Sequence, residues 1–146
     1  GARSVLLGAM RYRALASPAF LARHFPEGVR AEQLPRTPAL VFGPDDFLQH
    51  RYLALLGVDG AFEHHLCPSS EGFIRLTEAG LGWGLVPELQ VREQLQRGVL
   101  RELLPDKPID VPLYWHHWRN GGQLLGLLTE QLVRASAQWL VPWKQL

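Results

Sequence analysis

Long apolar runs are missing from this 146-residue sequence, and none approaches the roughly 18 residues a helix needs to cross a bilayer. No membrane span is expected. The start, GARSVLLGAMRY, is too short and too weakly charged for a signal peptide, so the expected compartment is the cytoplasm. Cysteine is nearly absent: Cys67 stands alone, which excludes an internal disulfide and fits a reducing compartment. Neither sign of charge dominates, with 15 basic against 14 acidic residues and a net charge of +1. No basic run is denser than Arg11-Tyr12-Arg13, so the footprint of a nucleic-acid-binding surface is missing too. Internal repeats and low-complexity tracts are also lacking. What is present, 47% hydrophobic and 20% charged residues, is the composition of an ordinary soluble domain with a sizeable core.

Glycine clusters in EAGLGWGLVP (78–87), but in the wrong order for a phosphate loop. A dinucleotide fingerprint needs a strand before its glycines and a helix after them. Here a helical spacing of Phe73, Ile74, Leu76 and Ala79 precedes them, and a short apolar run closed by Pro87 follows. Gly80 therefore reads as the left-handed cap of a helix, and Gly82 or Gly84 as a place where a buried strand passes close to its neighbours.

The remaining pattern alternates strands and helices. Leu6 to Ser17 reads as a strand, and Pro18 opens a short helix that stops at Pro26. Residues 34–38 read as a proline-punctuated loop and PALVF (38–42) as a second strand. A helix is expected from Asp45 and Asp46 to about Leu56, turning at Gly57 and Asp59-Gly60. FEHHLC (62–67) is a third strand, followed by a helix with Ser69 or Ser70 as N-cap. WGLVP (83–87) is a fourth strand, PELQVREQLQRG (87–98) a helix, VLRELL (99–104) a strand and VPLYWHHWR (111–119) a long strand. Gln123 to Leu140 puts Leu124, Leu128, Leu132, Ala135 and Trp139 on one face of a closing helix. The expected fold class is α/β, a sheet with helices on both sides, because parallel strands need crossover helices.

The chemistry-bearing residues are sparse. His64-His65 and His116-His117 lie in strands, where successive side chains point to opposite faces, so neither pair can chelate one metal. Cys67 near His65 could form a thiol–imidazole pair, although buried strand cysteines are common. Ser69 and Ser70 lack the Gly-x-Ser-x-Gly elbow, and no paired carboxylates flank a cleft motif. No catalytic residue, metal or cofactor is therefore expected. A helix start after a strand instead offers free amides to a ligand carboxylate, while Asp45, Asp46 and Glu71 can neutralise an ammonium or guanidinium group. Plain helix capping explains the same residues equally well. Trp83, Trp115, Trp118 and Tyr114 suit core or interface as readily as ligand stacking.

Five stretches carry a resemblance: RYRALASPAFLARHFPEGV (11–29), DDFLQHRYL (45–53), HLCPSSEGFIRL (65–76), GLGWGLVPELQV (80–91) and LYWHHWR (113–119). Together they resemble the effector-binding region of LysR-type transcriptional regulators, and more closely the ArgP/LysG branch of arginine- and lysine-responsive regulators of amino-acid export. The resemblance implies a type II periplasmic-binding-protein-like fold, with two lobes joined by crossing strands and an effector held in the cleft. Residues 1–112 would form the second lobe, with the first crossing strand at its start. Residues 113–146 would form the second crossing strand and a helix belonging to the first lobe. The helix-turn-helix head through which such regulators bind DNA, and much of the first lobe, have no counterpart in this sequence. The implied partners are an amino-acid effector, lysine or arginine, and further copies of the chain, which would cover the closing helix. Carried over, Ser69 and Ser70 match the serine pair at the cleft-facing helix start, Asp46 an acidic position, and Tyr114 and His116 the hinge-proximal crossing strand. Glu71 joins the set from its place at the same helix start. The alternative is an α/β amino-acid-binding protein or an enzyme of amino-acid metabolism.

Overall fold

A computed structural model describes residues 1–58 and 61–144; the Asp59-Gly60 turn lies outside the described residues. In chain order the elements are β1 (Ala2–Ala16), α1 (Pro18–His24), a 3-10 turn (Ala31–Arg36), β2 (Ala39–Val41), α2 (Leu48–Leu55), β3 (His64–Leu66), α3 (Ser70–Glu78), β4 (Gly84–Pro87), a second 3-10 turn (Glu88–Gln90), α4 (Arg92–Arg97), β5 (Arg101–Glu102), β6 (Ile109–Trp118) and α5 (Gly122–Ser136). They divide into two compact units, one of Gly1–Arg11 with Asp110–Leu146, the other of Tyr12–Ile109. None of the described helices is long and apolar enough to cross a membrane.

In the Tyr12–Ile109 unit, the inner half of β1 pairs antiparallel with β4, Tyr12 opposite Pro87 and Leu15 opposite Gly84, and with β5 through Leu15 and Ala16. β2 and β3 pair in parallel. The sheets are thus of mixed direction. Strand–helix alternation foretells the parallel β2–α2–β3 crossover, but it carries no information on how β1 meets strands far along the chain. Leu15, Leu40, Phe73, Val86, Val91 and Leu100 form the core, and Cys67, Ile74, Leu76 and Leu95 pack against it. Arg13 lies between Glu88 (2.8 Å) and Glu102 (3.2 Å), tying β1 to the segments on either side of it.

Local chemistry explains most boundaries. Ser17 caps α1 by accepting a hydrogen bond from the Phe20 amide at 3.1 Å, and Pro18 follows it at the first helical position. Gly80 takes φ +81° and ends α3: its amide donates to the Thr77 carbonyl, and the Leu81 amide donates to that of Leu76. A Cβ on Gly84 would lie 2.6 Å from Phe73 Cζ, so this strand does pass too close for a side chain.

Other boundaries differ from expectation. α2 starts at Leu48, not at Asp45 or Asp46, because the Asp46 carboxylate folds a turn around itself. The 87–98 helix breaks at Val91, a β-branched residue with φ −130° that is fully buried in the core. Only Arg101–Glu102 of the 99–104 segment pair as a strand, and residues 31–36 form a 3-10 turn where a plain loop was expected.

In the other unit, β1 pairs with β6, and Ala9 exchanges two backbone hydrogen bonds with Val141, at 2.7 and 2.9 Å. Arg11 grips Asp110 through two hydrogen bonds, at 2.9 and 3.0 Å. Trp115 donates from Nε1 to Thr129 Oγ1 at 3.1 Å and so anchors β6 to α5. On the expected apolar stripe, Leu132 and Ala135 are half-buried, whereas Leu124, Leu128 and Trp139 are exposed.

Candidate functional site

β2 and β3 run side by side in register, with Ala39 opposite His64 and Val41 opposite Leu66, and the Cys67 amide extends the ladder by donating to the Val41 carbonyl at 2.8 Å. Both strands therefore release their chains at the same end. One chain enters the turn holding Asp46; the other reaches Ser69 and Ser70 at the start of α3. In α/β folds, the space outside the carboxyl ends of parallel strands is where ligands bind.

At the α3 start, Ser69 is the N-cap in extended conformation, and its Oγ accepts from the Gly72 amide at 3.1 Å. The cap satisfies the third amide of the helix and leaves those of Ser70 and Glu71 with no intrahelical acceptor. Ser70 is exposed. Glu71 is exposed too, but Arg75 one turn on holds its carboxylate at 2.7 Å. Such a surface pair contributes about 0.3–0.5 kcal/mol.

Asp46 is half-buried and orients the turn: Oδ2 accepts from the Phe42 amide at 3.0 Å and Oδ1 from the Leu48 amide at 3.1 Å. Each oxygen keeps a further lone pair for a cationic ligand group. The negative charge is felt by Tyr12, whose phenol is pushed above its ordinary range by burial first and by Asp46 second. Tyr12 is thus an electrostatic neighbour of the site that the sequence does not reveal, since the strand pattern of residues 6–17 says nothing of what lies beside it. Exposed Phe42 and Phe47 flank the Asp46 turn, and exposed Leu66 ends β3. These aromatic and aliphatic faces put apolar surface at the same end of the β2–β3 pair as the Asp46 carboxylate and the start of α3.

The structure thus brings Asp46, Ser69, Ser70 and Glu71 to one end of one unit. Tyr114 and His116 belong to the other unit, both exposed on β6, their rings stacked with centroids 6.3 Å apart. His116 Nδ1 lies 2.7 Å from Ser4 Oγ. Trp83 is a core residue, fully buried beside Tyr52, whereas Trp118 is exposed. Cys67 packs against the core, its Sγ 3.8 Å from the Ser69 carbonyl. Among the described residues, no three His, Cys, Asp or Glu side chains come together as a metal cage.

The profile of the LysR substrate binding domain matches residues 1–140. The HTH-type transcriptional regulator ArgP of Pseudomonas fluorescens strain Pf0-1 is 95% identical over 142 residues, covering 97% of this chain and 48% of that protein. The C-terminal domains of a LysR family protein from Agrobacterium tumefaciens superpose with a TM-score of 0.90 at 42% identity, over 98% of this chain and 70% of that one. Full-length LysG from Corynebacterium glutamicum with bound effector Arg gives a TM-score of 0.81 at 39% identity, over 97% of this chain and 49% of the other. The chain spans about half the length of the curated relatives it matches. Strand order, capped helix starts and these likenesses agree, and the chain belongs to the LysR substrate binding domain family.

Proposed function

We propose that this chain is the ligand-sensing part of a cytoplasmic LysR-type transcription regulator that responds to arginine or lysine and carries out no catalysis. The observation that carries the proposal is the placement of the Asp46 carboxylate and the open α3 amides at one end of the β2–β3 pair. That end suits an amino acid with a basic side chain. The ligand carboxylate meets the Ser70 and Glu71 amides and the Ser70 hydroxyl, where the helix dipole favours an anion. The methylene stem lies along Phe42 and Phe47, and the guanidinium or ammonium group meets Asp46. Support for a basic amino acid also comes from the arginine bound by the LysG relative.

In the proposed whole protein, the Tyr12–Ile109 unit is the second regulatory lobe, while Gly1–Arg11 and Asp110–Leu146 belong with the first. Tyr114 and His116, on the returning strand, are effector contacts that rest on the resemblance alone. A helix-turn-helix head would bind DNA as part of an oligomer. Effector binding shifts that oligomer between arrangements by its differential affinity for them.

Calorimetric titration of the full-length regulator with L-arginine, L-lysine and L-leucine tests this reading. Saturable binding of one or both basic amino acids, with no heat from leucine, is the expected result. Binding of leucine alone, or of none, contradicts it.

A further inference from the structure

A second polar concavity lies at the opposite end of the β2 strand. The 3-10 turn Ala31–Arg36 leads into β2 at Ala39, whereas the Asp46 turn leaves β2 after Val41. A cavity of about 450 Å³ opens beside that 3-10 turn, lined by His24, Arg30, Glu32, Gln33, Arg36 and Thr37. This volume is within the range of small-molecule sites.

The lining is rich in donors. Arg36 is exposed, and among the described residues no carboxylate lies within ion-pair distance of it. Arg30 has one acidic neighbour, Glu32, at 3.8 Å, but both side chains are mostly in water and the pair is weak. Gln33 spends its Oε1 on the Arg30 amide at 3.2 Å, which turns its Nε2 donors loose. Thr37 donates its hydroxyl proton to the Leu34 carbonyl at 2.9 Å. His24 stacks on Phe20 with ring centroids 4.3 Å apart and adds a ring nitrogen. Burial, with Arg23 adding to it, keeps this imidazole below its ordinary range.

Two guanidinium forks, an amide and an imidazole around one concavity, against one loosely held carboxylate, match a compact oxyanion rather than an apolar or cationic ligand. We propose that this concavity is a second ligand site, distinct from the amino-acid site, that takes a small dianionic oxyanion, either a phosphoryl group or a dicarboxylate, gripped by Arg36 and Arg30. Arg36 is the principal contact because, unlike Arg30, it has no carboxylate within ion-pair distance among the described residues. Glu32 limits affinity and selects against bulkier anions that would crowd it.

The test uses the 15N-labelled chain in two-dimensional NMR, titrated with sodium phosphate, with disodium succinate, and with sodium chloride at matched ionic strength. Saturable shifts at His24 and residues 30–37 with phosphate or succinate, and not with chloride, are expected. The anion that saturates at the lower concentration identifies the ligand as phosphoryl or carboxylate. Arg36→Gln should weaken this binding at least about tenfold, the loss of one charge-assisted contact, and Glu32→Gln should tighten it. Shifts that never saturate, that chloride reproduces, or that Arg36→Gln leaves intact would overturn the proposal. Should Arg36→Gln fail to fold, Glu32→Gln decides, since unchanged or weaker binding there has the same consequence.

Discussion

Replacing Asp46 by asparagine separates the two jobs assigned to this carboxylate. In the folded chain its oxygens accept from the Phe42 and Leu48 amides at 3.0 and 3.1 Å. Asparagine keeps one acceptor oxygen and turns the other position into a donor, so one of the two amides loses its partner. The cost is about 1–3 kcal/mol of stability for a partly buried turn. The charge lost toward a bound cation costs about 1.5–3 kcal/mol of affinity, or roughly ten- to a hundredfold. Unfolding and binding losses are told apart by comparing L-arginine with L-citrulline, its uncharged analogue of nearly the same shape. Calorimetry on the full-length regulator should find that the parent prefers arginine by about that factor, and that Asp46→Asn brings the two ligands level. If both ligands weaken in proportion, so that the preference survives, Asp46 is only a cap and the reasoning about cation selection fails.

Four further outcomes are expected. Ser69→Ala removes the cap on Gly72 and should cost about 1 kcal/mol in urea unfolding, while Ser69→Asp should recover most of it. Gly84→Ala drives a methyl to 2.6 Å from the buried Phe73 ring, with the Leu40 carbonyl at 3.3 Å, and should cost about 1–3 kcal/mol by the same assay. Tyr52 is fully buried, its hydroxyl has no hydrogen-bond partner among the described residues, and its phenol is raised far above the ordinary range by burial and then by Glu102. The unfolded chain then loses this proton near pH 10 while the folded chain holds it, so stability present below pH 10 falls as pH rises above it. Tyr52→Phe should flatten that alkaline fall, measured as the urea midpoint between about pH 8 and 11, and should cost nothing at pH 7.

The glycine stretch 78–87 was legible because each residue's role follows from local sterics. Gly80 needs positive φ, and Gly84 leaves no room for a Cβ. The α3 start was equally legible, since a serine before a helical apolar pattern has one dominant use. Asp46 stands just before α2, but its local geometry differs from a helix first turn. An acidic pair before a helix reads as a first turn, yet the side chain bonds backwards to Phe42 and postpones the helix to Leu48. Tyr12 escaped notice because its relation to Asp46 depends on β1 lying against segments far along the chain, which no local pattern encodes. For the same reason Arg36 and His24 drew no attention: their common cavity exists only once the turn at 31–36 has folded beside the end of α1.

A crystal structure of the full-length regulator grown with L-arginine tests the central claim most directly. The account predicts the guanidinium group at about 3 Å from the Asp46 carboxylate, with the α-carboxylate on the Ser70 and Glu71 amides. Arginine bound away from the ends of β2 and β3, or bound there in the reverse orientation, would contradict it.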